Sequence, residues 1–113
     1  MKTKTCIIAI LLAAGLTNSR SQDTWTQKAD FGGGYRAGAV GFSIGSKGYI
    51  GTGFDVNFEN VKDFWEYDPA TNAWTQKADF GGTARVNSVG FPIGSKGYIG
   101  TGFDITGNYM NDF

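Results

Sequence analysis

Short segments of alternating apolar and small or polar residues, separated by glycine-rich turns, make up most of the chain. In VGFSI, residues 40–44, the apolar side chains alternate with Gly41 and Ser43, which predicts a β-strand with one apolar face. The turn sequence IGSKG follows, and GYIGTG at 48–53 then predicts a second strand. Glycines at this spacing argue against a helix.

Two further strands are predicted in the same unit. DFWEYD at 63–68 alternates large aromatic residues, and AWTQKA at 73–78 follows the turn sequence DPATN. Pro69 in that turn occupies a position favourable to a type I turn. Four short strands joined by turns predict an antiparallel meander.

The unit is repeated without a gap. Trp25–Phe64 aligns with Trp74–Phe113, and about 27 of the 40 positions are identical. The period of 49 residues is long for a helical solenoid and suits one four-stranded blade of a β-propeller. We therefore predict an all-β fold with fewer than two blades: repeat 1 at 25–73 and an incomplete repeat 2 at 74–113.

The strands at which the given sequence begins and ends within the repeat lead to a further prediction about the number of blades. WTQKA at 25–29 matches the fourth strand, and Asp112-Phe113 matches the opening of the third. The chain is thus expected to be the N-terminal part of an incomplete propeller. It would need further blades, supplied by the same chain or by other copies, because one blade cannot cover both of its faces.

These residues resemble the kelch repeat. The matching elements are an Arg before the first strand (Arg36, Arg85), the strand 49–53 that ends in glycines, Tyr67-Asp68-Pro69, and Asn72-Ala73-Trp74. One departure is that Thr52 or Thr101 separates two glycines that are usually adjacent in kelch units. The resemblance implies a β-propeller fold. We expect Trp25 and Trp74 to pack between blades, with sugar binding by these rings as the alternative.

The N-terminus has the three-part pattern of a secretory signal peptide. Lys2 and Lys4 precede an apolar stretch at 6–16, and small polar residues follow, with cleavage expected near Ser21. The stretch is too short for a permanent membrane span. We predict a signal peptide at 1–21 and a secreted protein located in the periplasm or at the extracellular surface.

Composition narrows the possible chemistry. Without the signal peptide the chain has no Cys or His. Removal of the signal peptide also removes Lys2, Lys4 and Arg20. It leaves 7 of the 10 basic residues against 10 acidic residues. Nucleic-acid binding is disfavoured, because it requires clustered positive charge. The usual metal sites and nucleophile–base pairs cannot be assembled from these residues, so neither cofactor nor catalytic residue is predicted.

Two motif-like stretches have structural explanations. Asp55, Asn57, Glu59 and Glu66 imitate the spacing of a calcium loop, but Asn60 replaces the required Gly and Glu66 falls within a strand. Gly51-Thr52-Gly53 is not followed by a helix and is expected to permit close backbone approach rather than to hold a phosphate.

The differences between the two copies predict a binding surface. They fall before the first strand (GYRAGA against TARVNS) and between the second and third strands (VNFENVK against ITGNYMN). Both loops open on one rim of a meander, which suits a rigid scaffold that presents variable loops, although drift of exposed loops would give the same pattern. Candidate contact residues are Tyr35, Asn57, Phe58, Glu59, Asn60, Asn108 and Tyr109.

The predicted function is a non-catalytic binding or scaffold module that recognises a protein or a glycan through this rim. The alternative is a fragment of a propeller enzyme, similar to sialic-acid epimerases or otherwise carbohydrate-active, whose active site lies in other blades. A structural module within a larger surface protein is a third possibility.

Overall fold

The computed structural model describes residues 23–113, which form two antiparallel β-sheets and no helix. The first sheet has the order β1-β2-β3-β4, with β1 at Val40–Ile44, β2 at Lys47–Gly51, β3 at Phe64–Asp68 and β4 at Ala73–Lys77. The second sheet pairs β5 at Val89–Ile93 with β6 at Lys96–Gly100. The predicted signal peptide at 1–21 lies outside the described residues.

The first sheet is the predicted four-stranded meander, and its two faces differ as the alternation requires. Phe42 pairs with Tyr49 across β1 and β2, and their rings stack 5.9 Å apart. The ring of Phe64 on β3 lies 5.8 Å from that of Tyr49 and extends the aromatic layer. Val40 on the same face is only 5% exposed, which confirms the predicted apolar face of β1.

The two sheets pack against each other through that face. β1 contacts both β5 and β6. The ring of Phe42 lies over Gly97, where an added Cβ would stand only 2.5 Å from the ring's Cζ atom. A side chain at Gly90 would likewise overlap Val40. Glycine in β5 and β6 is therefore what lets the second sheet approach the aromatic layer of the first.

The opening segment 25–29 corrects one prediction. It matches β4 in sequence, yet it forms no strand, and Trp25 is fully exposed rather than packed between blades. In the blade pattern this segment would pair with a third strand, and both edges of β3 are already paired, with β2 and with β4. Identical sequence therefore adopts strand structure only where a partner strand is available.

The matching tryptophan of the second copy does pack. The ring of Trp74 lies 4.9 Å from that of Phe31, and its indole Nε1 donates to the carbonyl of Ala29 at 3.1 Å. The amide of Ala29 in turn donates to Asn72 Oδ1 at 2.9 Å. The Asn-x-Trp element thus anchors residues 29–31, which precede the loop leading into β1.

The glycine-rich end of β2 behaves as predicted. A Cβ at Gly53, which has a φ of 89°, would stand 2.5 Å from the carbonyl oxygen of Ala37. Glu66 lies inside β3, as predicted, and forms a salt bridge with Lys47.

Candidate functional site

Each repeat carries two loops that lie side by side, and we call these the rim loops. They are 34–39 and 52–63 in the first repeat, and 83–88 and 101–112 in the second. Phe54 forms isolated β-bridges with both Ala37 and Asn60, and Phe103 does the same with Val86 and Tyr109. The loops before β1 and between β2 and β3 therefore form one surface in each repeat.

A buried arginine fixes the base of each pair of loops. Arg36 donates to both carboxylate oxygens of Asp63, at 2.6 and 2.8 Å, and to the carbonyl of Thr52 at 2.9 Å. Its guanidinium lies 5.4 Å from the centre of the Phe31 ring. Burial alone would raise the pKa of Asp63, but hydrogen bonds from Arg36 and Trp65 outweigh it and lower that pKa.

The second repeat has the same arrangement. Arg85 is fully buried and donates to both oxygens of Asp112 and to the carbonyl of Thr101. The hydrogen bond from Arg85 lowers the pKa of Asp112. The arginine that marks the repeat in the sequence is thus a structural clamp, and it is not free to bind a ligand.

An aspartate shapes the tip of each longer rim loop. Asp55 Oδ1 accepts the backbone amides of Asn57 and Glu59, at 2.8 and 3.1 Å. Asp104 accepts the corresponding amides of Thr106 and Asn108. Hydrogen bonds from Thr106 and Asn108 lower the pKa of Asp104, so its carboxylate is held ionised.

The rim loops of the two repeats are joined by backbone hydrogen bonds. The amide of Gly53 donates to the carbonyl of Arg85 at 2.8 Å, and the amide of Asn87 donates to the carbonyl of Gly38 at 2.9 Å. The loops therefore form a continuous and preorganised surface.

Two shallow apolar grooves run along this surface. One, of about 320 Å³, is lined by Tyr35, Phe54 and Phe58 among others. The other, of about 300 Å³, lies between Phe58 and the second repeat's Phe103 and Ile105. Phe58 and Phe54 line both grooves, and Phe58 is the more exposed of the two.

Phe58 adopts a conformation that is unfavourable for its residue type. Its φ is 61°, in the left-handed region, and its side chain is 77% exposed while stacking on Phe54. The equivalent position in the second repeat is Gly107, with a φ of 83°. Left-handed geometry costs a bulky residue roughly 1–2 kcal/mol, whereas glycine adopts it freely. The turn therefore favours glycine, and the first repeat presents a phenyl ring there instead.

Only some of the contact residues predicted from the sequence line the two grooves. Tyr35, Phe58 and Asn60 line the grooves. Asn57 and Glu59 are exposed at the loop tip and line neither groove. The side chain of Asn108 is engaged by Asp104 and Thr106, and Tyr109 is 89% exposed outside both grooves.

The sequence-based prediction missed several groove residues because it relied on positions that differ between the two repeats. Phe54 and Phe103 are identical in both repeats, and Val56 and Ile105 differ only conservatively. For the last two, exposure was the missing signal, since Val56 is 66% and Ile105 is 68% exposed.

Across residues 23–113, no group of three or more His, Cys, Asp or Glu side chains is placed to hold a metal ion. The acidic side chains at the loop tips, Asp55, Glu59 and Asp104, form no salt bridge within the described part of the chain.

Comparison with known proteins identifies the class of fold. Among solved structures, 47 chains match. One of them is described as "Structure of YjhT". It superposes on 76% of this chain with a TM-score of 0.65 and 24% sequence identity. The protein is therefore all-β, with a four-stranded antiparallel blade and part of a second blade of propeller type. The chain spans about a quarter of the length of that structure, 26%.

The other comparisons found nothing similar. No family model and no curated protein match the chain.

The described residues include no helix long and apolar enough to cross a membrane.

Proposed function

We propose that the chain is part of a secreted or cell-surface kelch-type β-propeller that binds a protein or a glycan, without catalysis, through its rim loops. The kelch assignment is supported by the marker residues, since Arg36, Asn72 and Trp74 each make contacts that shape the repeat. Secretion is supported by the apolar segment at the N-terminus.

The observation that carries the binding proposal is the phenyl ring of Phe58. The fold places the same arginine clamp, aspartate turn and Phe54 or Phe103 bridge in both repeats, so the loop does not need a ring at this position. Strained residues retained at exposed positions are concentrated at functional sites. The Phe58 ring is 77% exposed and lines both grooves, so it is suited to contact a ligand.

A pair of substitutions separates binding from folding. Phe58→Gly removes the ring and relieves the backbone strain, which offsets the lost stacking on Phe54, so we expect its unfolding free energy to stay within about 1 kcal/mol of wild type. Phe58→Ala removes the same ring but keeps a side chain in left-handed geometry, and it should be less stable than Phe58→Gly by about 1 kcal/mol.

Binding is measured for wild type and both variants on a glycan array and against a displayed random-peptide library. We expect ligands selected by the wild type to lose at least tenfold in affinity for both variants alike, whatever their stabilities. Wild-type protein that selects no ligand from either collection would contradict a binding role. Ligands that bind Phe58→Gly as tightly as wild type would show that this rim is not the binding surface.

A further inference from the structure

The groove of about 300 Å³ is lined by both repeats, and we call it the inter-repeat groove. Phe54 and Phe58 come from the first repeat, and Phe103, Asp104 and Ile105 come from the second. The other groove is lined by residues of the first repeat alone. The inter-repeat groove is therefore the one to which neighbouring repeats both contribute side chains.

One carboxylate lies among the apolar side chains of this groove. Asp104 is partly exposed, and its Oδ1 atom accepts the amides of Thr106 and Asn108 and the hydroxyl of Thr106. Among the described residues, its Oδ2 atom accepts only the side chain of Asn108, at 3.2 Å. Because a carboxylate oxygen can accept two hydrogen bonds, Oδ2 can also accept one from a ligand while Oδ1 holds the loop.

The charge of the rim loops favours a positively charged ligand. The two rim arginines are each neutralised by the aspartate to which they donate. Three carboxylates and one amine remain in these loops, and they belong to Asp55, Glu59, Asp104 and Lys62. Lys62 lines neither groove. Charge complementarity therefore favours a cation and disfavours an acidic peptide or an anionic sugar.

The aromatic side chains of the groove suit the same kind of ligand. The rings of Phe54 and Phe58 stack 5.8 Å apart, and Phe103 lines the groove from the second repeat. The face of an aromatic ring attracts a cation. Lysine and arginine also have long apolar stems, which pack on such surfaces while the charged end reaches a carboxylate.

A sugar would find few hydrogen-bonding partners in this groove. Apart from Asp104, its polar side chains are those of Asn60 and Asn87, and the Nδ2 atom of Asn60 is buried. Hydroxyl groups placed against Phe103 and Ile105 would lose their contact with water without gaining a partner. The groove volume also lies at the low end of the range for ligand pockets, about 300–1,000 Å³, and suits a single long side chain.

We propose that the inter-repeat groove binds a lysine or arginine side chain of a partner protein, with its apolar stem against Phe58 and Ile105 and its charged end at Oδ2 of Asp104. The inference rests on the proposed binding role of the rim loops and names the chemistry of the ligand.

The test measures the binding of fluorescent peptides to the full-length protein by fluorescence anisotropy. The probe is a peptide in which arginine alternates with alanine. Its matched control replaces each arginine by citrulline, which has nearly the same shape and no charge. A soluble glucosamine oligomer, added as a competitor, tests whether a sugar supplies the cation instead.

Two matched variants locate the site. Asp104→Asn removes the charge but keeps an oxygen that can accept the amides of Thr106 and Asn108. Asp55→Asn makes the same change at the equivalent turn of the first repeat, which does not line the inter-repeat groove, and it is the control. Circular dichroism monitors folding. Asp104→Ser, which also keeps an acceptor for these amides, replaces a variant that fails to fold.

We expect the arginine peptide to bind and the citrulline peptide to bind at least about fivefold more weakly. Asp104→Asn should weaken binding of the arginine peptide by about fivefold or more, and Asp55→Asn by about twofold at most. Phe58→Gly should weaken it by about tenfold or more, because the ring that contacts the stem is lost.

Three results would overturn the inference. They are equal affinities for the arginine and citrulline peptides, equal losses for Asp104→Asn and Asp55→Asn, and a glucosamine oligomer that binds more tightly than the arginine peptide. The proposed binding role would still stand in each case if ligands selected by the wild type required Phe58. If no ligand of any class required Phe58, the binding role of the rim would fail together with the inference.

Discussion

At the scale of single residues, the arginine of each repeat is the clearest case of a sequence marker with a structural role. Arg36 joins the loop before β1 to Asp63 at the end of the next loop and to the carbonyl of Thr52. Its side chain is 6% exposed and that of Asp63 is 22% exposed. Removing Arg36 leaves the partly buried charge of Asp63 without its ion-pair partner and with only the hydrogen bond from Trp65.

Arg36→Met should therefore lower the free energy of unfolding by about 3 kcal/mol, at the low end for a buried pair because Asp63 keeps some contact with water. Urea denaturation followed by tryptophan fluorescence measures the change. Lys28→Met, at an exposed position, is the matched control and should leave stability nearly unchanged. A loss below about 1 kcal/mol for Arg36→Met would mean that the pair behaves like a surface ion pair.

At the scale of elements, a charged cluster crosses the strands of the first sheet. Glu66 on β3 accepts hydrogen bonds from Lys47 and Tyr49 on β2, at 2.8 and 2.7 Å, and lies 3.3 Å from Lys77 on β4. The bonds from Lys47 and Tyr49 lower the pKa of Glu66 from 4.5 to about 2. The bond to Glu66 raises the pKa of Lys47 and of Tyr49 in turn.

The lowered pKa predicts an acid dependence of stability. Because the pKa of Glu66 is lower in the folded chain than in the unfolded chain, its carboxylate stabilises the fold above about pH 4.5, and this stabilisation is lost as the pH falls to about 2. In Glu66→Gln, the free energy of unfolding should depend less steeply on pH across that window. The measurement is urea denaturation at several pH values between 2 and 7.

Glu59→Gln provides the control, since Glu59 is exposed and forms no salt bridge among the described residues. Its pH dependence should match that of wild type. Equal slopes for wild type and Glu66→Gln between pH 4.5 and 2 would contradict the proposed role of the cross-strand cluster.

At the scale of the whole molecule, equivalent glycines of the two repeats differ in their surroundings. Gly97 lies under the ring of Phe42, whereas a Cβ at Gly48, the same position of the first repeat, would meet only the Cβ of Tyr67, at 3.9 Å. Only the packing of one sheet on the other creates this difference, because both residues occupy the sequence KGYIG.

Gly97→Ala should destabilise the fold by about 1–3 kcal/mol, because the new methyl group displaces the Phe42 ring. Gly48→Ala should leave the unfolding free energy unchanged or raise it slightly, since alanine loses less backbone entropy on folding. Thermal and urea unfolding of the two variants make the comparison. Equal losses for the two variants would mean that the sheets do not pack as described.

Much of the fold follows from the sequence. The alternation in VGFSI predicted β1 to the residue, and the gapless repeat predicted blade architecture, because strand period and repeat length are local properties of the chain. The rim loops were also located from the sequence. The grooves were not, because Phe54 and Phe103 do not vary between copies and only the folded loops place them in the grooves.

The sequence by itself thus determined the strands, their order and the glycines that permit close packing. Only the tertiary structure decided that 25–29 is not a strand although its sequence repeats β4, that Trp25 is exposed while Trp74 is packed, and that one apolar face is covered while its equivalent is open. The physical reason is the same in each case. Hydrogen bonding and burial require a partner surface, and identical residues behave differently where that partner is present and where it is not.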